Sequence, residues 1–244
     1  ILDCGLLERA KGIKFLIAKI LWFSIPISRS KYIVAISQAT KDEILKYIKC
    51  DPDKIKVIHI SVSPVFKPSA REFNKHMPVI LHIGTDKNKN LIGLIKAISG
   101  LNCKLNIVGR LDDADQHELI ENKINYENFF NLTHEEVFEQ YKKCDMLSFV
   151  STYEGFGMPI IEANTVGRPV ITSNLYSMPE VAGNAALIVN PYDIEEIRNG
   201  ILKIINDDIY RNNLIKNGFE NASRFDLSKM AEEYYNLYVN VFSN

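Results

Sequence analysis

The chain has 244 residues, 46% hydrophobic and 24% charged, with 29 basic and 30 acidic side chains and a formal net charge of −1. That composition fits a soluble globular protein able to bury a sizeable core, and it leaves no global field to attract nucleic acid or an anionic surface. Any anion must therefore be held locally.

Cys4, Cys50, Cys103 and Cys144 are scattered, without a CxxC pair or histidines at metal-ligand spacing, which argues for a reducing, cytoplasmic setting and against a metal site. The chain opens on Ile1 without the charged start, apolar centre and cleavage site of a signal peptide, so its start reads as a truncation. The run from Phe15 to Ile27 is interrupted by Lys19 and contains Pro26; it is too short to span a bilayer. With Lys11, Lys14, Trp22 and Phe23 it has the makings of a membrane-surface helix, but one face of a buried helix is the preferred expectation.

Lys31–Ile36 is strand-like, Thr40–Ile48 has a helical period after Ser37, and Lys54–Ile60 is strand-like again, making a β-α-β unit. The stretch 61–78 holds three prolines and no apolar period, and a domain boundary is placed there, near residue 68. Beyond it, strand-like runs recur at Val79–Ile83, Lys104–Val108, Asn128–Leu132, Met146–Val150, Pro169–Thr172 and Ala186–Val189, most of them separated by helical patterns. Such alternation is the mark of α/β architecture with a doubly wound parallel sheet, here over residues 69–226, preceded by a partial second α/β domain at 1–68. Thr133 with Glu136 forms a capping box, and Asp193 precedes an apolar helical period. Residues 227–244 read as a C-terminal helix, crossing back to the first domain, whose Tyr234, Tyr235 and Tyr238 are expected to form a packing face.

In an open parallel sheet, ligands bind at the carboxyl ends of the strands, so the turns after Ile83, Val108 and Val150 are where chemistry is expected. The third turn reads Ser151-Thr152-Tyr153-Glu154-Gly155-Phe156-Gly157-Met158-Pro159 and then opens a helix that Gly167 and Pro169 end. Gly155 and Gly157 permit close backbone approach, and the amides of Gly155 to Met158 at a helix N-terminus suit a diphosphate. Glu154 and Glu162 can accept hydrogen bonds from vicinal sugar hydroxyls. As mere complements to the helix dipole they would contribute roughly 0.3–1 kcal/mol each, which leaves the glycines unexplained. After Ile83 comes Gly84-Thr85-Asp86-Lys87-Asn88-Lys89-Asn90, where Lys89 can place an ammonium near a phosphate; a solvated loop lysine is the alternative. Gly109-Arg110 after Val108 is a weaker signal of the same kind.

These residues resemble the group 1 (family 4) retaining glycosyltransferases, which have a two-domain Rossmann-like (B-type) architecture. The resemblance covers nearly the whole chain and is most specific at Glu154-Gly155-Phe156-Gly157-Met158-Pro159-Ile160-Ile161-Glu162, similar to the family's acidic pair separated by seven residues. Lys89-Asn90 and Pro179-Glu180-Val181-Ala182-Gly183 also match. The resemblance implies that Glu154 and Lys89 are catalytic, Glu154 on the transferred sugar and Lys89 against the diphosphate. It implies donor binding by Gly84, Lys87, Asn88, Asn90, Gly109, Arg110, Gly155, Phe156, Gly157, Met158 and Glu162, the last holding the ribose hydroxyls.

Two positions depart from the family pattern. Asn88 stands where an arginine is common, leaving Lys87 or Arg110 to supply that charge, and Leu2-Asp3-Cys4 stands where many members have a histidine-aspartate pair. The resemblance implies a sugar nucleotide as substrate, a saccharide or lipid-linked saccharide as acceptor, no metal or other cofactor, no nucleic acid, and peripheral contact with the inner membrane face in cell-surface polysaccharide synthesis. The rival is a non-catalytic nucleotide-sugar-binding module that needs a separate acceptor domain. A glycosidase would share the two carboxylates without the phosphate loop, and an epimerase would isomerise the donor.

Overall fold

Residues 1–243 are described by the computed structural model. They divide into one unit of Ile1–Ser61, Glu154–Phe156 and the chain from Phe225 onward, and another of Val62–Tyr153 with Gly157–Arg224.

The first unit begins with α1 (Gly5–Arg9) and α2 (Gly12–Ala18), which runs through a wide π-helical turn at Lys19–Ser24 into α3 (Ile25–Arg29). Two three-residue parallel strands, β1 (Ile33–Ala35) and β2 (Ile55–Val57), flank α4 (Gln38–Tyr47). Ser37 caps α4 by accepting the Thr40 amide at 3.0 Å, which leaves one fewer unsatisfied donor in its first turn. Ala18, Phe23 and Ile27 join Leu7, Ile44 and Ile55 in the core of this unit. Phe15–Ile27 thus buries one face, with Ala18, Phe23 and Ile27 in the core, while Leu16, Leu21 and Trp22 are exposed.

The second unit is a six-stranded parallel sheet in the order β5-β4-β3-β6-β7-β8. Its strands are β3 (Val79–Ile83), β4 (Lys104–Val108), β5 (Tyr126–Phe129), β6 (Met146–Phe149), β7 (Val170–Ser173) and β8 (Ala186–Val189). The helices are α5 (Leu91–Ile98), α6 (Asp113–Glu121), α7 (His134–Lys143), α8 (Met158–Val166), α9 (Met178–Ala182), α10 (Ile194–Asn206) and α11 (Asp208–Ala222).

The near-continuous apolar strands are those of a sheet covered on both faces. One face packs Ile80, Leu105, Met146 and Ile171 against Leu94 and Ile98 of α5 and Ile197, Ile201 and Ile204 of α10. The capping box at Thr133 and Glu136 forms, as does the Asp193 cap. β5 lies two to three residues earlier than Asn128–Leu132, its register being set by pairing of Leu105 to Val108 with Tyr126 to Phe129.

The order in which successive strands are added reverses between β3 and β6, parallel neighbours in the sheet but far apart in sequence, and the loops after them open at that switch point, where an α/β sheet leaves a crevice. The last helix, α12 (Leu227–Phe242), returns to the first unit, where Lys31 donates to the Val241 carbonyl at 2.9 Å. The expected tyrosine packing face does not form: no residue of α12 is buried, and Tyr235 and Tyr238 are exposed, since a helix that lies on a small unit is not required to bury its whole apolar stripe. Among the described residues no helix is long and apolar enough to cross a membrane.

Candidate functional site

Within the sheet unit, the site is built from the two loops at the switch point and the start of α8. Gly84 follows β3 with φ +90°, a conformation that suits glycine, and its amide donates to the Val108 carbonyl at 2.7 Å. A Cβ at Gly84 would lie 2.9 Å from Cγ and Cε of Lys89. The bare glycine is thus the floor on which the lysine stem rests. The Lys89 ammonium stands 5.2 Å from the centroid of Phe149, the last residue of β6. Lys87 is exposed beside it on the same 3₁₀ turn, Lys87–Lys89.

Asn88 and Asn90 hold the loops together. Asn88 donates from its side chain to the Tyr153 carbonyl at 2.9 Å, while its own carbonyl accepts the Thr152 amide at 2.7 Å. Asn90 takes the left-handed conformation, φ +60°, and its amide nitrogen donates to the carbonyls of Val150 at 3.1 Å and Pro191 at 2.8 Å. Both amide groups are committed to the scaffold, tying the turn after β3 to the loops after β6 and β8. Gly109 has φ +151°, and a Cβ there would meet the Thr85 side chain at 2.7 Å. Arg110 accepts the Thr85 hydroxyl at its carbonyl, 2.7 Å, and its guanidinium lies 5.9 Å from the Phe130 ring.

Gly157, φ +109°, turns the chain into α8, whose N-terminus has no side-chain cap and carries Pro159 in its first turn. Met158 is the first helical residue. The amide dipoles of this end offer partial positive charge without a basic side chain. Glu162, one turn further on, is held by a residue that sequence reasoning missed. The hydroxyl of Tyr141, on α7, donates to Glu162 Oε2 at 2.8 Å, and the Tyr141 side chain is fully buried. Burial pushes the Glu162 carboxyl above the ordinary carboxylate range, and the tyrosine hydrogen bond works against that rise. The Tyr141 phenol is pushed well up, first by burial and then by the carboxylate beside it. Arg168 fixes the end of α7 by donating to the Tyr141 carbonyl at 2.9 Å and the Lys142 carbonyl at 3.1 Å. In sequence, Tyr141 is one more apolar position of an amphipathic helix, and nothing local marks its hydroxyl as functional.

A second unforeseen residue is His82, in β3 next to Ile83 and in register across from Ile107. It is fully buried, and the backbone of Ser148 and Gly84 lies near the ring without meeting either nitrogen in full hydrogen-bond geometry. Burial, with Lys89 adding repulsion, lowers its pKa to about 4, so the ring is neutral near pH 7.

Glu154, Gly155 and Phe156 belong to the first unit. There the Gly155 carbonyl accepts the hydroxyls of Ser37 at 2.7 Å and Thr40 at 3.1 Å. A Cβ at Gly155 would come within 2.0 Å of the Leu2 carbonyl oxygen, so backbone-to-backbone contact requires glycine here. Phe156 is buried, its ring 5.9 Å from His59 and 5.6 Å from Phe225. Asp3 is occupied locally, its carboxylate accepting the Gly5 amide at 2.8 Å. Among the described residues no three His, Cys, Asp or Glu side chains are grouped as metal ligands.

Comparison with known proteins gives these features a context. The family model described as glycosyl transferases group 1 matches residues 66–221. The chain is 27% identical over 237 residues to the O-antigen chain mannosyltransferase B of Escherichia coli, spanning 87% of this chain and 61% of that protein. It is 30% identical over 186 residues to the O-antigen chain mannosyltransferase RfbU of Salmonella typhimurium, spanning 73% and 52%. Among solved structures, sucrose-phosphate synthase from Thermosynechococcus elongatus superposes with a TM-score of 0.82 at 20% identity, over 97% of this chain and 63% of that one. This likeness is one of fold. The chain thus spans roughly half to three fifths of the length of the two curated relatives.

Proposed function

The chain belongs to the group 1 glycosyltransferases, and from that premise we propose that it carries the donor site of an enzyme moving a sugar from a nucleotide diphosphate to an acceptor hydroxyl. In this reading the bond from the anomeric carbon to the diphosphate oxygen breaks, and the acceptor oxygen bonds to that carbon with retained configuration. The acceptor's proton leaves with the nucleotide diphosphate.

The observation that carries the reading is the grouping of Lys89, the uncapped N-terminus of α8 and the Tyr141-held Glu162 in the sheet unit, at the carboxyl ends of its strands. Lys89 and the helix amides, including those of Gly157 and Met158, neutralise charge on the leaving diphosphate. Such preorganised electrostatics act at the atoms where charge develops. Glu162 accepts the ribose hydroxyls, Glu154 accepts hydroxyls of the transferred sugar, and Gly155 and Phe156 offer backbone amides. Lys87 and Arg110 supply the charge that Asn88 does not. No metal or other cofactor takes part.

The relatives' names support a mannosyl donor and a growing surface polysaccharide as acceptor, either free or lipid-linked. A lipid-linked acceptor would put the protein in peripheral contact with the cytoplasmic face of a membrane. Because the chain spans only part of its relatives, a nucleotide-sugar-binding module completed by a separate acceptor domain is the second reading. An assay for transfer or donor hydrolysis separates the two, since a pure binding module does neither.

Isothermal titration with UDP, GDP and ADP tests the site without an acceptor. One nucleotide is expected to bind and to lose affinity in both Lys89→Ala and Glu162→Ala. Binding unchanged in those variants would overturn the assignment.

A further inference from the structure

We propose that Tyr176, paired with Tyr153, is an aromatic wall that stacks on the pyranose ring of the donor and so selects the transferred sugar. Both residues lie in the sheet unit, Tyr153 in the loop after β6 and Tyr176 in the loop between β7 and α9. Those strands are parallel neighbours, so the two loops leave the carboxyl end of the sheet side by side, next to the switch point. The rings meet edge to face, with centroids 4.6 Å apart and planes at 70°.

The first observation is the backbone of Tyr176. Its φ is +51°, and the other non-glycine residues with positive φ among those described are Asn90, Lys123 and Asn131. The Met178 amide donates to the Leu175 carbonyl at 3.2 Å, closing a turn whose second central residue, Ser177, has φ −79° and ψ −15°. Turns with positive φ at the first central position are dominated by glycine, asparagine and aspartate. A bulky side chain there is an outlier that persists only where its surroundings fix it. They do so here: Ser177 and Met178 are fully buried, and the Asn174 amide donates to the Val189 carbonyl at 2.9 Å. The second observation is exposure. Although the turn disfavours it, Tyr176 is 37% accessible, where a ring kept for packing alone would be covered.

What such a ring can take follows from its chemistry and its place. A pyranose carries C–H bonds over its face, and their weakly positive hydrogens suit the electron-rich face of an aromatic ring. No charge is involved, so the contact adds nothing for a diphosphate. Tyr153 is bonded directly to Glu154, the residue assigned to hydroxyls of the transferred sugar. The Asn88 side chain donates to the Tyr153 carbonyl at 2.9 Å, which ties the ring pair to the turn that carries Lys89. The sugar on the diphosphate is therefore the ring that the pair meets. The proposal rests on the donor-site reading and names a residue that selects the sugar within it.

The test is calorimetric titration of the unmodified chain and of Tyr176→Ala, Tyr176→Gly and Tyr176→Phe with UDP, GDP and ADP, then with the hexose conjugate of the nucleotide that binds. The nucleoside diphosphate should bind all four proteins alike. The nucleotide sugar should bind Tyr176→Ala and Tyr176→Gly on the order of tenfold more weakly, and should bind Tyr176→Phe, which keeps the ring, as it binds the unmodified chain. Thermal unfolding gives a second readout. The glycine variant should melt above the alanine variant, because glycine relieves the positive φ, while the two share the same loss of sugar affinity. Sugar affinity restored by glycine would place the effect in the turn rather than the ring and overturn the proposal. So would unchanged nucleotide-sugar affinity in both variants, or a loss seen only for added mannobiose, which would assign the rings to the acceptor. Failure of the unmodified chain to bind any of the three nucleotides would refute the donor site itself, and this wall with it.

Discussion

Replacing Tyr141 with phenylalanine removes one oxygen atom and nothing else. The ring stays in its fully buried place, so no cavity opens, and what is lost is the 2.8 Å hydrogen bond to Glu162 with the longer 3.3 Å contact to the Pro159 carbonyl. Hydrogen bonds to charged groups contribute about 1.5–3 kcal/mol. In the proposed donor complex that bond does two things: it orients the carboxylate toward the ribose, and it favours the ionised form that burial disfavours. Without it, the cost of orienting and ionising Glu162 falls on ligand binding. Taking the lower bound, Tyr141→Phe should bind a ribonucleoside diphosphate about tenfold more weakly near neutral pH. The Glu162 carboxyl should titrate higher still, so the affinity of the variant should begin to fall at a higher pH than that of the unmodified chain as acid is added. The assay is calorimetric titration across pH with the ribonucleotide and its 2′,3′-dideoxy counterpart, the latter having no ribose hydroxyls for Glu162 to hold. The dideoxy ligand should bind both proteins alike. Equal losses for both ligands would mean that Tyr141 supports only the packing of α7 on α8, and no loss for either would refute the orienting role.

Gly84→Ala forces a side chain into the left-handed region at a cost of roughly 1–2 kcal/mol and places its Cβ 2.9 Å from the Lys89 stem. The expected outcome is a lower unfolding midpoint together with diphosphate affinity reduced toward that of Lys89→Ala; a drop in stability alone would return Lys89 to the status of a solvated loop residue. His82 is depressed from 6.5 to about 4, so its stabilising contribution is complete above pH 6.5 and is lost as pH falls toward 4, to the extent of about 3 kcal/mol at full protonation. Denaturant unfolding at pH 7 and pH 4.5 should show that His82→Leu is less acid-sensitive than the unmodified chain across that window; parallel losses in both proteins would place the acid sensitivity elsewhere.

Much of this molecule is legible from local pattern. The strands from Val79 to Val189 and the caps at Thr133 and Asp193 follow from apolar runs and capping chemistry that neighbouring residues settle among themselves. The glycines after β3 and before α8 are legible for the same reason: φ values of +90° at Gly84 and +109° at Gly157 are backbone requirements that only certain residues meet without strain. The strand order is not: alternation of strands and helices with right-handed crossovers narrows the choices, and the pairing of Ile80 with Met146 sets the switch point.

Tertiary structure decided which side chains are spent on scaffold and which face outward. Asn88 and Asn90 sit in the loop where a donor was expected, yet their amides bridge three loops through partners 60 or more residues away. Tyr141 reads as core until α7 is laid beside α8 and its hydroxyl meets Glu162. Whether an apolar helix face is covered depends on how much surface the rest of the unit offers, a quantity absent from any local window. That is why Trp22 lies outside beside the buried Phe23, and why Tyr235 and Tyr238 of α12 are exposed. Local sequence determines elements and their special backbone positions because those depend on near neighbours; pairing of polar groups and coverage of apolar faces depend on residues distant in sequence, and only the folded chain settles them.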